Sequence, residues 1–233
     1  MIRLILPACI GLILMMSASD GQTNQKQTIP ELWKHEHNVV PCGDSPIPGK
    51  RPANWDCAIL ARRQFSSLPP DAVVLRVESF PTREAAEPVA TPTSIVVEAV
   101  GKVWLLTFAK KGERSQGGQF VTEIGPLPIP SAPAYEMVVA EADFGPAVNA
   151  LPLQHQHSGP EIWYVFTGEQ CVELPDRVVR ARAGEGAFVP GDIPMKLNIM
   201  GKSKRDALFI VLHDPALPFT SHVDWQPKGT CQK

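Results

Sequence analysis

The chain has 233 residues, 22 of them basic and 24 acidic, a formal net charge of −2 at neutral pH, and 44% hydrophobic residues. That balance excludes the basic stripe of a nucleic-acid binder and gives no steering toward anionic membranes, while the length suffices for one domain with a sizeable core. The 24 prolines are about twice the ordinary share, which disfavours long helices and suits short strands joined by tight turns.

Met1-Ile2-Arg3, the apolar run from Leu4 to Met16 and the small residues Ser17-Ala18-Ser19 read as a signal peptide over residues 1–19. The run is too short to span a bilayer comfortably. Cleavage would remove Arg3 alone among the charged residues, leaving 21 basic and 24 acidic side chains. The expected location is therefore secreted or periplasmic, with no membrane partner after cleavage and no nucleic-acid partner. Cys42, Cys57, Cys171 and Cys231 remain, an even number in an oxidising compartment, where disulfides are the default and four cysteines allow three connectivities. Cys42 and Cys57 bracket the Gly/Pro-rich loop Gly43 to Trp55 and make a natural local pair. A bridge from Cys171 to Cys231 would tie the C-terminal tail, residues 218–233, to the rest. No CxxC or CxH spacing supports a soft-metal site.

Residues 20–70 read as an N-terminal extension with short helices that covers one sheet or mediates a homodimer. Thr28-Ile-Pro-Glu31 has the form of a capping box opening a helix through Trp33 and Lys34. Asn54 can cap a second helix from Trp55 to Phe65, where Cys57, Leu60, Ala61 and Gln64 follow i, i+3, i+4, i+7 spacing, stopped by Pro69-Pro70. His35-Glu-His37 lies in a polar segment without strand alternation and reads as a chance pair.

Strand signals then follow in series: Ala72 to Glu78, Ser94 to Val100, Lys102 to Ala109, Gln119 to Ile124, Tyr135 to Ala142, Leu153 to His157, Glu161 to Phe166, Gln170 to Glu173, Val178 to Ala183, Gly186 to Val189, Met195 to Met200 and Ala207 to Leu212. Pro81 to Pro92 reads as an exposed loop. Short strands punctuated at this spacing predict an all-β sandwich or barrel over residues 71–217.

One segment carries chemistry: His155-Gln-His157-Ser-Gly-Pro-Glu161-Ile-Trp-Tyr-Val-Phe-Thr-Gly168. Alternate residues of a strand share a face, so His155 and His157 point the same way, and the Ser158-Gly159-Pro160 turn can return Glu161 beside them. Two imidazoles and a carboxylate suit iron, manganese, nickel, copper or zinc. Glu161 and Trp163 share a face, with Ile162, Tyr164 and Phe166 on the other. Trp163, Phe188 and Phe209 are read first as packing, as are Trp104 and Trp225.

HxH, three residues, Glu, six residues and Gly resembles the first motif of the cupin superfamily. Gly184-Glu-Gly-Ala-Phe-Val-Pro190 resembles the start of the second. There the pattern departs: Gly191 stands one place early, Asp192 occupies the position of the family's glycine, and Met195, followed by Lys196, stands where the family has its third metal-binding histidine. The resemblance implies a cupin-type jelly-roll barrel with His155, His157 and Glu161 as metal ligands. Met195 or Lys196 stands at the fourth position, because a one-residue slip reverses which of the two points inward. Trp163, Lys196 and His213 are the candidate ligand-pocket residues, and His213 is equally readable as a structural histidine.

Three functions remain open on these residues. One is a metal-dependent enzyme, of oxygenase or isomerase type, acting on a small molecule. The second is a non-catalytic module that has lost the metal and binds a sugar or other small ligand. In the third the barrel is only a scaffold and residues 20–70 bind a partner.

Overall fold

The computed structural model describes residues 42–70, 73–150 and 153–232. The signal peptide, the helix expected after Thr28 and the His35-Glu-His37 pair lie outside the described residues. The chain runs through β1 (Gly43–Asp44), β2 (Cys57–Phe65), β3 (Val73–Phe80), a short helix α1 (Arg83–Ala86), β4 (Ser94–Ala99), β5 (Lys102–Lys110) and β6 (Gln119–Ile124). It continues through β7 (Tyr135–Phe144), β8 (His155–Gln156), β9 (Glu161–Thr167), β10 (Glu169–Glu173), β11 (Val178–Arg182), β12 (Gly186–Val189), β13 (Lys196–Ile199), β14 (Arg205–His213) and β15 (Ser221–His222).

The eight strands β7 to β14 pair in a nested order. The first, last, third and sixth of them lie side by side as β7-β14-β9-β12. The fourth, β10, takes β11 on one side and β13 on the other, and the backbone of His155 in β8 bridges to Met195 beside β13. Two sheets in the orders first-last-third-sixth and second-seventh-fourth-fifth are the jelly-roll arrangement, in which every connection but the fourth-to-fifth hairpin crosses between sheets. The all-β, jelly-roll expectation holds.

Side-chain alternation sorts the core by face. On β9, Ile162 and Tyr164 join Leu208, Ile210 and Leu212 of β14 and Met137 and Val139 of β7 against Leu75, Val77, Leu106 and Phe108. The last four come from the separate sheet β4-β5-β3-β6, which therefore covers the outer face of the jelly roll. Trp163 faces the other way, into a second cluster with Val138, Phe144, Val172, Met195, Ile199 and Phe209 that fills the barrel interior. The central sheet is thus buried on both faces, and each fully buried Ile or Leu on it contributes about 1.5–3 kcal/mol of transfer free energy. Trp104 packs on Tyr164 and Phe166 across the outer interface, with ring centroids 5.6 and 4.9 Å apart.

Two sequence expectations are corrected. Residues 57–65 are not a helix but strand β2, paired antiparallel with β7 and extending the central sheet. Its first four residues are buried on both faces, with Cys57 and Ile59 facing the interior cluster and Ala58 and Leu60 the outer one. Apolar residues on both faces erase the period-two signal, and pairing with β7 overrides the weak helical spacing. Within the expected loop after Phe80, Thr82 caps α1 by accepting a hydrogen bond from the Ala85 N–H at 3.3 Å, and Ala86 is buried against the outer sheet. Both disulfides form, Cys42–Cys57 and Cys171–Cys231. No helix among the described residues is long and apolar enough to cross a membrane.

Candidate metal centre

The two histidines and the glutamate are delivered by different backbone devices. His155 sits on β8, pinned by reciprocal backbone bonds with Met195, N to O at 3.1 and 2.8 Å. The chain then turns at Gly159, where a side chain is excluded: a Cβ would stand 1.8 Å from the Leu212 carbonyl oxygen. Gly191, from the second motif, packs against Gly159, and a Cβ on it would stand only 2.7 Å from the Gly159 Cα. Asp192 next to it holds φ at 57° and donates its N–H to the His157 carbonyl at 2.8 Å. Aspartate is one of the few residues that tolerates this left-handed conformation, so the turn survives at the position where the motif has glycine.

The two imidazoles are oriented by backbone carbonyls. His155 Nδ1 lies 2.9 Å from the Leu153 oxygen and His157 Nδ1 lies 2.7 Å from the Phe219 oxygen. A carbonyl only accepts, so each Nδ1 carries the proton and donates it, which turns both Nε2 atoms toward Glu161. Glu161 is the first residue of β9, and its Oε1 accepts a 2.9 Å hydrogen bond from the Trp163 indole N–H. The other oxygen, Oε2, lies 3.3 Å from His157 Nε2 and 3.9 Å from His155 Nε2. The three ligand atoms fall within 4.8 Å of one another.

All three side chains are buried, and His155 Nε2, His157 Nε2 and Glu161 Oε2 have no hydrogen-bond partner among the described residues. Three converging polar atoms, one on each residue, are a set that could hold a metal ion. Burial alone would push the Glu161 carboxyl up, but His155 and His157 hold it well below the usual carboxylate range.

The cavity beside this cluster is lined by His155, Glu161, Trp163, Met195, Arg205 and Phe209, among others. Its volume is about 40 Å³. One water needs roughly 10–15 Å³ on that measure. The site therefore admits a ligand of only a few heavy atoms.

The structure divides the remaining sequence candidates. Met195 and Leu197 both line the cavity, so by strand alternation Lys196 between them points away. That corrects the pocket assignment of Lys196 and leaves the buried Met195 thioether beside the triad. His213 is also not a pocket residue. Its Nε2 lies 3.2 Å from Glu136 Oε2, and its Nδ1 lies 2.9 Å from the Asp214 carbonyl. Phe219 packs on both His157 and His213, at 5.1 and 5.6 Å between centroids, and neither His213 nitrogen is free to act as a ligand. Trp163 is both core and site: it lines the cavity and fixes one oxygen of Glu161. Two functional groups escape a reading of the sequence, Arg205 and the Phe219 carbonyl. Arg205 closes a run of charge, Lys202-Ser-Lys204-Arg205-Asp206, that has the form of an exposed turn, and a backbone carbonyl leaves no sequence signal at all.

No family model matches the chain, and no curated protein matches it in sequence. Among solved structures, an RmlC-like cupin family protein with a double-stranded β-helix fold from Methanocaldococcus jannaschii aligns at 12% identity over 34% of this chain and 72% of its own, with a TM-score of 0.31. A cupin-2 domain containing protein from Shewanella frigidimarina aligns at 19% identity over 33% of this chain and 68% of its own, with a TM-score of 0.25. Oxalate decarboxylase from Bacillus subtilis aligns at 15% identity, with a TM-score of 0.29 over 38% of this chain and 24% of its own. The match thus spans about a quarter of that enzyme.

Proposed function

We propose that this jelly-roll protein, similar to cupins in motif and fold, holds one divalent transition metal on His155 Nε2, His157 Nε2 and Glu161 Oε2. In this reading it is an exported metal-dependent enzyme, of oxygenase or isomerase type, acting on a small molecule. The observation that carries the reading is the convergence of three buried, unpartnered ligand atoms whose companion polar atoms are already engaged. Burying two bare imidazole nitrogens and a carboxylate oxygen against each other is costly unless a cation neutralises and coordinates them. Met195 beside the triad leaves the fourth direction to a soft donor or to an exogenous ligand, and the bound metal would supply Lewis acidity or redox chemistry there.

The protein's own groups have defined parts in this scheme. Leu153 and Phe219 carbonyls hold the imidazoles in the coordinating tautomer, Trp163 bonds one oxygen of Glu161, and Phe209, Phe144 and Leu153 line the cavity with apolar surface. Two disulfides support export to an oxidising compartment. The test is elemental analysis of natively exported protein beside a His155→Ala/His157→Ala variant. One metal per wild-type chain and none in the variant is expected. Equal, near-zero metal in both would remove the metalloenzyme reading in favour of a non-catalytic small-ligand module.

A further inference from the structure

Arg205 is an anomaly within the interior cluster. It opens β14, is 1% exposed, and ranks among the largest fully buried side chains. Its guanidinium offers five N–H donors. Among the described residues these find one acceptor, the Ala142 carbonyl at 3.2 Å from Nη1, and Nε is buried without a partner. No carboxylate of the described residues stands within ion-pair distance of it. The neighbouring acid, Asp206, lies on the opposite face of β14 and pairs instead with Arg51 at 3.5 Å. The Phe144 ring lies 5.5 Å from the guanidinium carbon and offers only its π face.

Burial pulls the Arg205 guanidinium down to about 10, with Asp206, Glu161 and Asp143 opposing the fall, so it remains a cation at neutral pH. A buried cation with no carboxylate in direct contact is an unfavourable arrangement in a protein interior. Arg205 lines the same small cavity as His155, Glu161 and Met195. The cavity therefore has a candidate metal-binding pole and a cationic pole, and apolar side chains (Phe144, Leu153, Val172, Leu197, Phe209) also line it.

We propose that Arg205 is a binding residue for a small carboxylate, which occupies the cavity between the guanidinium and the metal position. The planar fork of arginine matches two carboxylate oxygens, which a point charge does not. The volume suits a ligand of a few heavy atoms, the size of acetate. The proposal deepens the metalloenzyme reading and rests on it only for the second pole.

The test is calorimetric titration of acetate, and of neutral acetamide of the same shape, into wild type, Arg205→Lys and Arg205→Gln. Each protein is titrated metal-free and Zn(II)-loaded, in a buffer free of carboxylates, with metal content measured alongside. Wild type is expected to bind acetate at least tenfold more tightly than acetamide. Arg205→Gln should lose that preference, and Arg205→Lys should keep part of it. Acetate affinity unchanged in Arg205→Gln at equal zinc content overturns the Arg205 assignment and leaves the metal site standing. Acetate binding that depends on Arg205 in a chain taking up no zinc upholds the assignment and overturns a zinc-binding pole. Should Arg205→Gln fail to fold, Arg205→Lys decides alone: full wild-type affinity and selectivity would show that the fork is not used, and the proposal falls.

Discussion

The indole N–H of Trp163 donates to Oε1 of Glu161 at 2.9 Å, from two residues further along the same strand. Strand alternation brings both to the barrel interior, and the bond leaves Oε2 as the only free oxygen toward His155 and His157. A carboxylate held by one oxygen presents the other in a fixed direction, which lowers the entropy cost of coordination. Trp163→Phe keeps most of the packing but removes the donor. Metal affinity should then fall about 10–100-fold, the usual cost of losing an outer-shell partner, with stoichiometry at saturation unchanged. Competition with a chromophoric chelator measures this, and an unaltered affinity would show that packing alone orients Glu161.

Met195 tests the fourth direction. It is 1% exposed and lines the cavity beside His155 and Glu161. Met195→His replaces a weak, soft thioether by an imidazole, and Zn(II) affinity is expected to rise at least about tenfold if position 195 reaches the metal. Met195→Leu conserves volume and should cost under about 1.5 kcal/mol of stability, so it separates packing from coordination. Identical zinc affinity in wild type and Met195→His would place residue 195 outside coordinating reach.

The legibility of this site follows from the range of each signal. His155, His157 and Glu161 are readable because seven residues of one turn and two strand ends hold them, so local alternation decides where they point. The choice between Met195 and Lys196 is not, because it depends on the register of His155 against Met195 across the barrel. Arg205 is invisible for a related reason: its burial comes from β14 lying between β7 and β9, a pairing between strands far apart in sequence. Strand β2 passes for a helix because burial on both faces removes the alternation by which strands are recognised. Short, regularly spaced strands point to a β barrel, but the sheet that covers its outer face depends on packing that no local pattern encodes.

Glu141 gives a pH signature away from the metal. Burial pushes its carboxyl up to about 7 from 4.5, while Arg51 at 3.0 Å pulls it down and Asp206 and Asp143 add to the rise. Between those two values the native chain keeps a proton that the unfolded chain has released. Native binding of more protons means stability falls as pH rises through this window, and the loss from this group is complete above about pH 7. Glu141→Gln removes the titration. The difference in Tm, variant minus wild type, should become more positive from about pH 5 to about pH 8, and a pH-independent difference would contradict the assignment.

The C-terminal tail links a disulfide to the metal centre. Strand β15 pairs with β8, Ser158 Oγ donates to the Pro218 carbonyl at 3.0 Å, and the Phe219 carbonyl accepts the His157 Nδ1 proton at 2.7 Å. The end of the tail is fastened to β10 by Cys171–Cys231, and Lys228 Nζ donates to the Pro175 carbonyl at 2.8 Å. Residues 218–222 are therefore held from both directions, and the tautomer of His157 depends on their position. Opening the bridge, which spans 60 residues of sequence, should cost about 4 kcal/mol in the chain-entropy model. In a Cys171→Ala/Cys231→Ala variant, metal affinity should also fall, by up to about tenfold, together with amide exchange protection at residues 219–222. A variant that loses stability but keeps both affinity and protection would show that Ser158 and β15 suffice to hold the carbonyl. The clamp would then serve the barrel rather than the metal.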